Sequence, residues 1–187
     1  MDMPSFSFLD AVDDGLMSER NRRSSRVYAN ACPGVSDPDV TGLLAVLLSM
    51  LNFLRFVLRQ DRTDASRQTI VKMEYLTVYT VLRSLQKICR DMESVVTRDA
   101  LEKLKAIHNS DIATDLCGDD NRPFRNTLMH YGVDSRIALD VLRLDILLYG
   151  LVDACFPGHD FFSFESQLHE ELFRIADALE AWAAIKA

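Results

Sequence analysis

Near the C-terminal end, Phe164, Leu168, Leu172, Ile175, Leu179 and Trp182 recur at steps of four and three residues, with Glu165, Glu170, Glu171, Asp177 and Glu180 between them. An α-helix turns once in about 3.6 residues, so these apolar side chains share one stripe while the acids face elsewhere. A stripe of that length is stable only under an apolar cover, which the rest of the chain has to supply. That cover also reads as helix. Only 7 glycines and 5 prolines punctuate 187 residues, 48% of them apolar, and the long segments mix apolar and charged residues without strand alternation.

Asp39 or Thr41 is placed to cap a helix reaching about residue 61. Its leucines, with Val46, Met50, Phe53, Phe56 and Val57, fall on nearly every side, so most of its faces need covering. The apolar run 42–54, interrupted by Asn52 and closed by Arg55, is short for a bilayer span and suits a central buried helix. Over 65–89, Ile70, Met73, Leu76, Leu85 and Ile88 form one stripe and Tyr75, Tyr79 and Leu82 another, with Lys72, Arg83 and Lys87 between them. Two stripes predict two packing neighbours. A third helix is expected over 92–108, with Val96, Leu101, Leu104 and Ile107 inward.

NSDIATDLCGDDNRP then breaks the pattern. A short helix carrying FRNTLMHY begins between Asp120 and Pro123, because proline is tolerated in a first turn, and Gly132 stops it. Asp134 is placed to cap an apolar helix reaching about Phe156. Short connections between long helices favour antiparallel neighbours, so the expected fold is an all-α antiparallel bundle of about five or six helices. It occupies residues 37–187. Residues 1–36 form a peripheral segment, disordered in part or packed on the bundle, whose boundary is marked by ANACPGVSDPD.

The formal charge of −7 excludes a surface that grips nucleic acid everywhere, since such binding rests on neutralising phosphates. A local basic site is compatible with it. Sixteen of the 21 basic residues are arginines, whose planar fork fits phosphate or carboxylate. Arg20, Arg22, Arg23 and Arg26 form one cluster, read either as an RNA contact or as a solvated arm. The acidic start MDMPSFSFLDAVDD lacks the pattern of a secretory signal, which leads to the expectation of a cytoplasmic protein.

Cys32, Cys89, Cys117 and Cys155 form no CxxC pair and read as reduced, small hydrophobes. No Gly-rich phosphate loop, GxSxG elbow or zinc spacing is present, which removes the common kinase, hydrolase and zinc-enzyme readings; no cofactor or metal is expected. Glu165 and His169 are spaced four apart, as an exposed helix pair or as two metal ligands without an evident third. His108 reads as a helix-terminal histidine favoured by the dipole, or as a site residue together with Asp111.

The stretch with most chemistry is FRNTLMHYG, in which Arg125 and Asn126 are followed by His130, Tyr131 and Gly132. Five residues advance a helix by about 140 degrees, so Arg125 and His130 splay apart instead of stacking. Two copies across a two-fold axis would gather two arginines and two histidines around one phosphate. The plain alternative makes both surface residues, with Leu128 and Met129 in the core.

Arg125-Asn126-x3-His130 closely resembles the RNxxxH signature of the HEPN family, and the helical pattern from about Asp39 onward resembles it loosely. The resemblance implies a homodimeric helical bundle and a metal-independent endoribonuclease that acts as a toxin, phage-defence effector or RNA-processing enzyme. The alternative it admits is a noncatalytic RNA-binding or assembly module of a defence complex. Under the first reading Arg125 stabilises the phosphorane, His130 transfers protons and Asn126 supports them. Arg122 and Tyr131 become RNA contacts at the edges of the motif. The implied partners are RNA, a second copy, and an antitoxin or defence-complex protein, with no membrane. Some family toxins carry a tyrosine that a partner nucleotidyltransferase modifies, but one residue separates it from the histidine. Here Tyr131 follows His130 directly and reads as a core or site-wall aromatic.

Overall fold

A computed structural model describes residues 32–58, 63–130, 132–142 and 147–183. Tyr131 and the cluster Arg20, Arg22, Arg23 and Arg26 lie outside the described residues. The fold is an all-α bundle. The helices of the described residues are α1 (Pro38–Phe56), α2 (Asp64–Asp91), α3 (Arg98–His108), α4 (Asp111–Cys117), α5 (Arg122–His130), α6 (Leu147–Cys155) and α7 (Phe161–Ala183).

α2 is the central post. At 28 residues it runs about 42 Å, and Thr63 with Ser66 caps its start reciprocally. It touches α1, α3, α4, α5 and α7, which is more than the two neighbours its stripes predict. Val71, Tyr75, Val78, Leu82 and Leu85 are fully buried along it. α7 packs against the same post. All six members of its stripe are buried, as the periodicity requires. Asp160 and Ser163 cap it: the Asp160 carboxylate accepts from the Ser163 N–H at 2.7 Å, and the Ser163 hydroxyl accepts from the Asp160 N–H at 3.0 Å.

Several boundaries differ from the sequence expectation for local reasons. The cap of α1 is Asp37, whose carboxylate accepts from the Asp39 N–H at 2.8 Å, because Pro38 has no N–H and fits the first turn. The stretch expected as one helix over 92–108 is a short 3₁₀ turn at Glu93–Val95 followed by α3, which starts from a Thr97 cap. Val96 is extended there because it bridges Val35. The Ser36 N–H donates to the Val95 carbonyl at 2.9 Å, and the Thr97 N–H to the Gly34 carbonyl at 2.7 Å.

Gly34 is required at that clamp. Its φ is +96°, and a Cβ would sit 2.4 Å from Thr97 Oγ1. The clamp, buried Cys32 and a bond from Trp182 Nε1 to the Pro33 carbonyl at 3.3 Å hold residues 32–36 on the bundle. The break read in NSDIATDLC is itself a helix, α4, with Ser110 as its cap. Nor does Asp134 start a helix running to Phe156. Its side chain is bound elsewhere, and after a 3₁₀ turn at Leu139–Val141 the described helix is Leu147–Cys155.

α1 is covered on less of its circumference than its composition demands. Leu44, Leu47, Leu51 and Leu54 are buried, while Leu43, Val46, Met50 and Phe53 remain exposed. Among the described residues it is the one helix long and apolar enough to cross a membrane by length and composition. Here Arg55 ties it to α7 through Asp177, with 2.7 Å between charged atoms, and stacks over Phe173.

Candidate functional site

α5 presents the motif. Its entry is fixed by Asn121, whose side chain donates to the Asp115 carbonyl at 2.7 Å, and Pro123 sits in the first turn. Phe124 is fully buried and meets Tyr75, Phe156 and Phe164 at ring-centroid distances of 4.7, 5.0 and 5.6 Å. Leu128, one turn on, is also buried. These two anchors fix the rotation of the helix, so Arg125 and Asn126 fall at its half-buried edge, while Met129 and His130 are exposed. Met129, 52% exposed, is therefore no core residue.

Arg125 reaches α2. One terminal nitrogen donates to the Tyr79 hydroxyl, and the guanidinium carbon lies 5.2 Å from the Tyr79 ring centroid. The other terminal nitrogen and Nε donate to Asn126 Oδ1 at 2.8 and 3.3 Å. Asn126 is then engaged at its other end, Nδ2 donating to Asp134 Oδ2 at 2.9 Å.

Asp134 closes the relay. Its carboxylate accepts a fork from Arg136, Nε and the terminal nitrogen both at 2.8 Å, and its N–H donates to Thr127 Oγ1 at 2.9 Å. Thr127 in turn donates to the Pro123 carbonyl at 2.9 Å, which returns the loop to the start of α5. The Arg136 side chain first, then its N–H and Asn126, hold the Asp134 carboxyl well below the usual carboxylate range.

Beside Arg125 opens a pocket of about 230 Å³ between α2, the end of α4 and the start of α5. Tyr79 and Arg83 form one wall, Asn121, Arg122 and Arg125 another, and Leu116 to Asp119 the floor. His130, five residues along α5 from Arg125, is not among the lining residues. Arg122 and Arg125 thus share a pocket, Arg125 and Asn126 are directly bonded, and His130 stands apart on the exposed side of the helix.

The sequence reading missed Tyr79, Arg83, Asp134 and Arg136 as neighbours of the motif. Tyr79 and Arg83 lie four apart on α2 and so share a face, but nothing local says that this face meets α5. Asp134 and Arg136 carry a readable signal, since an aspartate commonly binds the backbone N–H two residues on, as it does here at 3.1 Å.

The other candidate groups lie in separate surroundings. Glu165 is buried and its Oε1 lies 3.6 Å from Arg67, so it is not one half of an exposed pair. His169 Nδ1 lies 3.3 Å from Glu74 Oε1 on α2. His108 ends α3 half-buried, both ring nitrogens lack a hydrogen-bond partner, and burial lowers its pKa. Among the described residues no group of three His, Cys, Asp or Glu side chains is placed to hold a metal ion. All four cysteines are free, and burial pushes the thiols of Cys32, Cys117 and Cys155 up to about 11, which leaves them neutral.

Comparison with protein-family models, with curated proteins and with solved structures returned no match for this chain.

Proposed function

We propose that this chain is a metal-independent endoribonuclease of the HEPN type, completed by a second copy and used as a toxin or phage-defence effector. The observation that carries the reading is the state of Arg125. It is held in place by two neutral acceptors, the Tyr79 hydroxyl and the Asn126 amide oxygen, and no carboxylate of the described residues neutralises it. A fixed, uncompensated guanidinium is suited to the nonbridging oxygens of a phosphorane, where negative charge accumulates in the transition state.

The chemistry uses RNA's own nucleophile. The 2′-oxygen attacks phosphorus as its proton passes to a base, the bond to the 5′-oxygen breaks, and that oxygen takes a proton from an acid. The products are a 2′,3′-cyclic phosphate and a 5′-hydroxyl. Histidine titrates near neutrality and serves in either transfer, and two copies would supply both the acid and the base. His130 has the exposure to meet a strand and a second copy. Asn126 enters as a positioning residue, because its amide is bonded to Arg125 at one end and Asp134 at the other.

The competing reading is a noncatalytic HEPN-like RNA-binding or assembly module. The observation that favours it is that His130 does not line the pocket that holds Arg125. One experiment separates the two. Purified protein is incubated with mixed RNAs in EDTA beside His130→Ala and Arg125→Ala, and the ends are analysed. Cleavage to cyclic phosphate by the wild type, lost in both variants, is expected. Intact RNA at high protein concentration, or variants that still cleave, would remove the catalytic site. Solution mass tests the second copy in the same preparation.

A further inference from the structure

Two pocket arginines have no part in the proton transfers above: Arg83 on α2 and Arg122 at the start of α5. With Arg125 they make three arginines among the residues that line one pocket, against a single acidic residue, Asp119. Among the described residues none of the three pairs with a carboxylate; the bonded partner of Arg83 is the Gln86 amide oxygen at 3.0 Å. The thiol on the floor adds no negative charge, since burial pushes Cys117 up to about 11.

The pocket is charged for an anion and poorly furnished for a base. Its one aromatic ring, Tyr79, already faces the Arg125 guanidinium and lies beside Tyr75 at a centroid distance of 6.2 Å. Base recognition in single strands relies on free aromatic faces, whereas backbone recognition relies on cations. A planar carboxylate matches one guanidinium fork. A tetrahedral phosphate points oxygens in several directions and can engage cations arriving from two helices.

We propose that this pocket seats a second phosphate of single-stranded RNA, next along the strand from the one handled by Arg125 and His130, and that Arg83 and Arg122 bind it without regard to sequence. The identity of the ligand rests on the ribonuclease reading, whereas the demand for phosphate rests on the pocket's own charges.

The test is fluorescence anisotropy of the full chain with a mixed-sequence single-stranded DNA, which lacks the 2′-hydroxyl and so reports binding without cleavage. Arg83→Gln and Arg122→Gln are each expected to weaken binding about threefold to tenfold at low salt. Across a KCl series each lowers the salt slope by about 0.7, the loss of one phosphate contact. Homopolymeric strands are affected alike, and Lys103→Gln, on an exposed lysine of α3 outside the pocket, leaves the slope unchanged.

If both pocket variants bind with the wild-type affinity and slope, the pocket proposal is overturned even where EDTA-resistant cleavage is intact. If they lose binding while the wild type cleaves no RNA, the pocket stands and the ribonuclease reading fails. Inorganic phosphate or a nucleoside monophosphate binding as tightly as the strand would overturn the assignment to RNA.

Discussion

Arg174 and Arg125 are both half-buried and both tie helices together, and their electrostatic surroundings are opposite. Arg174 on α7 forks onto Glu171 with both bonds at 2.7 Å and donates to the Ile107 carbonyl at the end of α3. Glu171, 3% exposed, also accepts from the Ser110 hydroxyl at 2.8 Å. Arg125 on α5 is held instead by a phenol and an amide. The carboxylate nearest along the relay, Asp134, lies beyond Asn126 and is taken up by Arg136. A neutralised guanidinium is a structural latch with little to offer an incoming anion. One held by dipoles alone keeps both its position and its charge for a ligand.

The comparison predicts that the two arginines fail in different assays. Arg125→Ala should lower cleavage in EDTA by about 10²- to 10³-fold, the usual effect of removing one donor from a developing oxyanion. Stability should fall by only about 1 kcal/mol, because the lost bonds are to neutral, part-exposed groups. Rates per folded molecule alongside urea melts check both halves. A large loss of stability with cleavage retained would make Arg125 a latch like Arg174.

Arg174→Ala should do the reverse. It strands the buried Glu171 carboxylate with Ser110 as its remaining partner, at a cost of about 2 kcal/mol after allowing for the partial exposure of Arg174. Cleavage per folded molecule should be unchanged. Glu171→Gln with Arg174→Met should recover part of the stability by removing both charges, and failure of that rescue would locate the loss in packing instead.

The two regions also differ in how far the sequence disclosed them. The apolar face of α7 was legible, because a long stripe with one period determines a face whatever covers it. Glu165 and Glu171 were the exceptions, both read as outward acids, since the apolar pattern carries no sign that Arg67 or Arg174 would accompany them inward. At the site, Arg125, Asn126 and His130 were legible as a motif and α5 as a helix. Tyr79 was not, because it lies 46 residues away and helical period cannot say which helix faces which. The clamp at Gly34 and Val96 was hidden for the same reason: one bridge between distant residues overrode the helical pattern of residues 92–97.

Tyr79→Phe sharpens the contrast by a smaller step. It removes the hydroxyl that accepts from Arg125 while keeping the ring under the guanidinium. Cleavage should fall about threefold to tenfold, the worth of one modest hydrogen bond, with the melting curve nearly unmoved. An unchanged rate would mean that Asn126 alone suffices to hold Arg125.

Asp134→Asn probes the far end of the relay, and its effect should be smallest. The amide still meets Asn126 but gives up the charge that Arg136 forks, so cleavage at neutral pH should fall by only about twofold. The informative measurement is stability against pH. Arg136 and Asn126 hold the folded-state Asp134 carboxyl below its unfolded value of about 3.9, so its stabilising contribution is fully present above about pH 4 and is lost as pH falls through the lower, folded value. Asp91 and Asp160, also lowered, are common to both proteins and cancel in the difference. The gap in urea midpoint between wild type and Asp134→Asn should be constant from neutrality to about pH 4 and close below it. A gap that widens on acidification would show that Asp134 is not held ionised by Arg136, and the relay that leaves Arg125 without a carboxylate would lose its anchor.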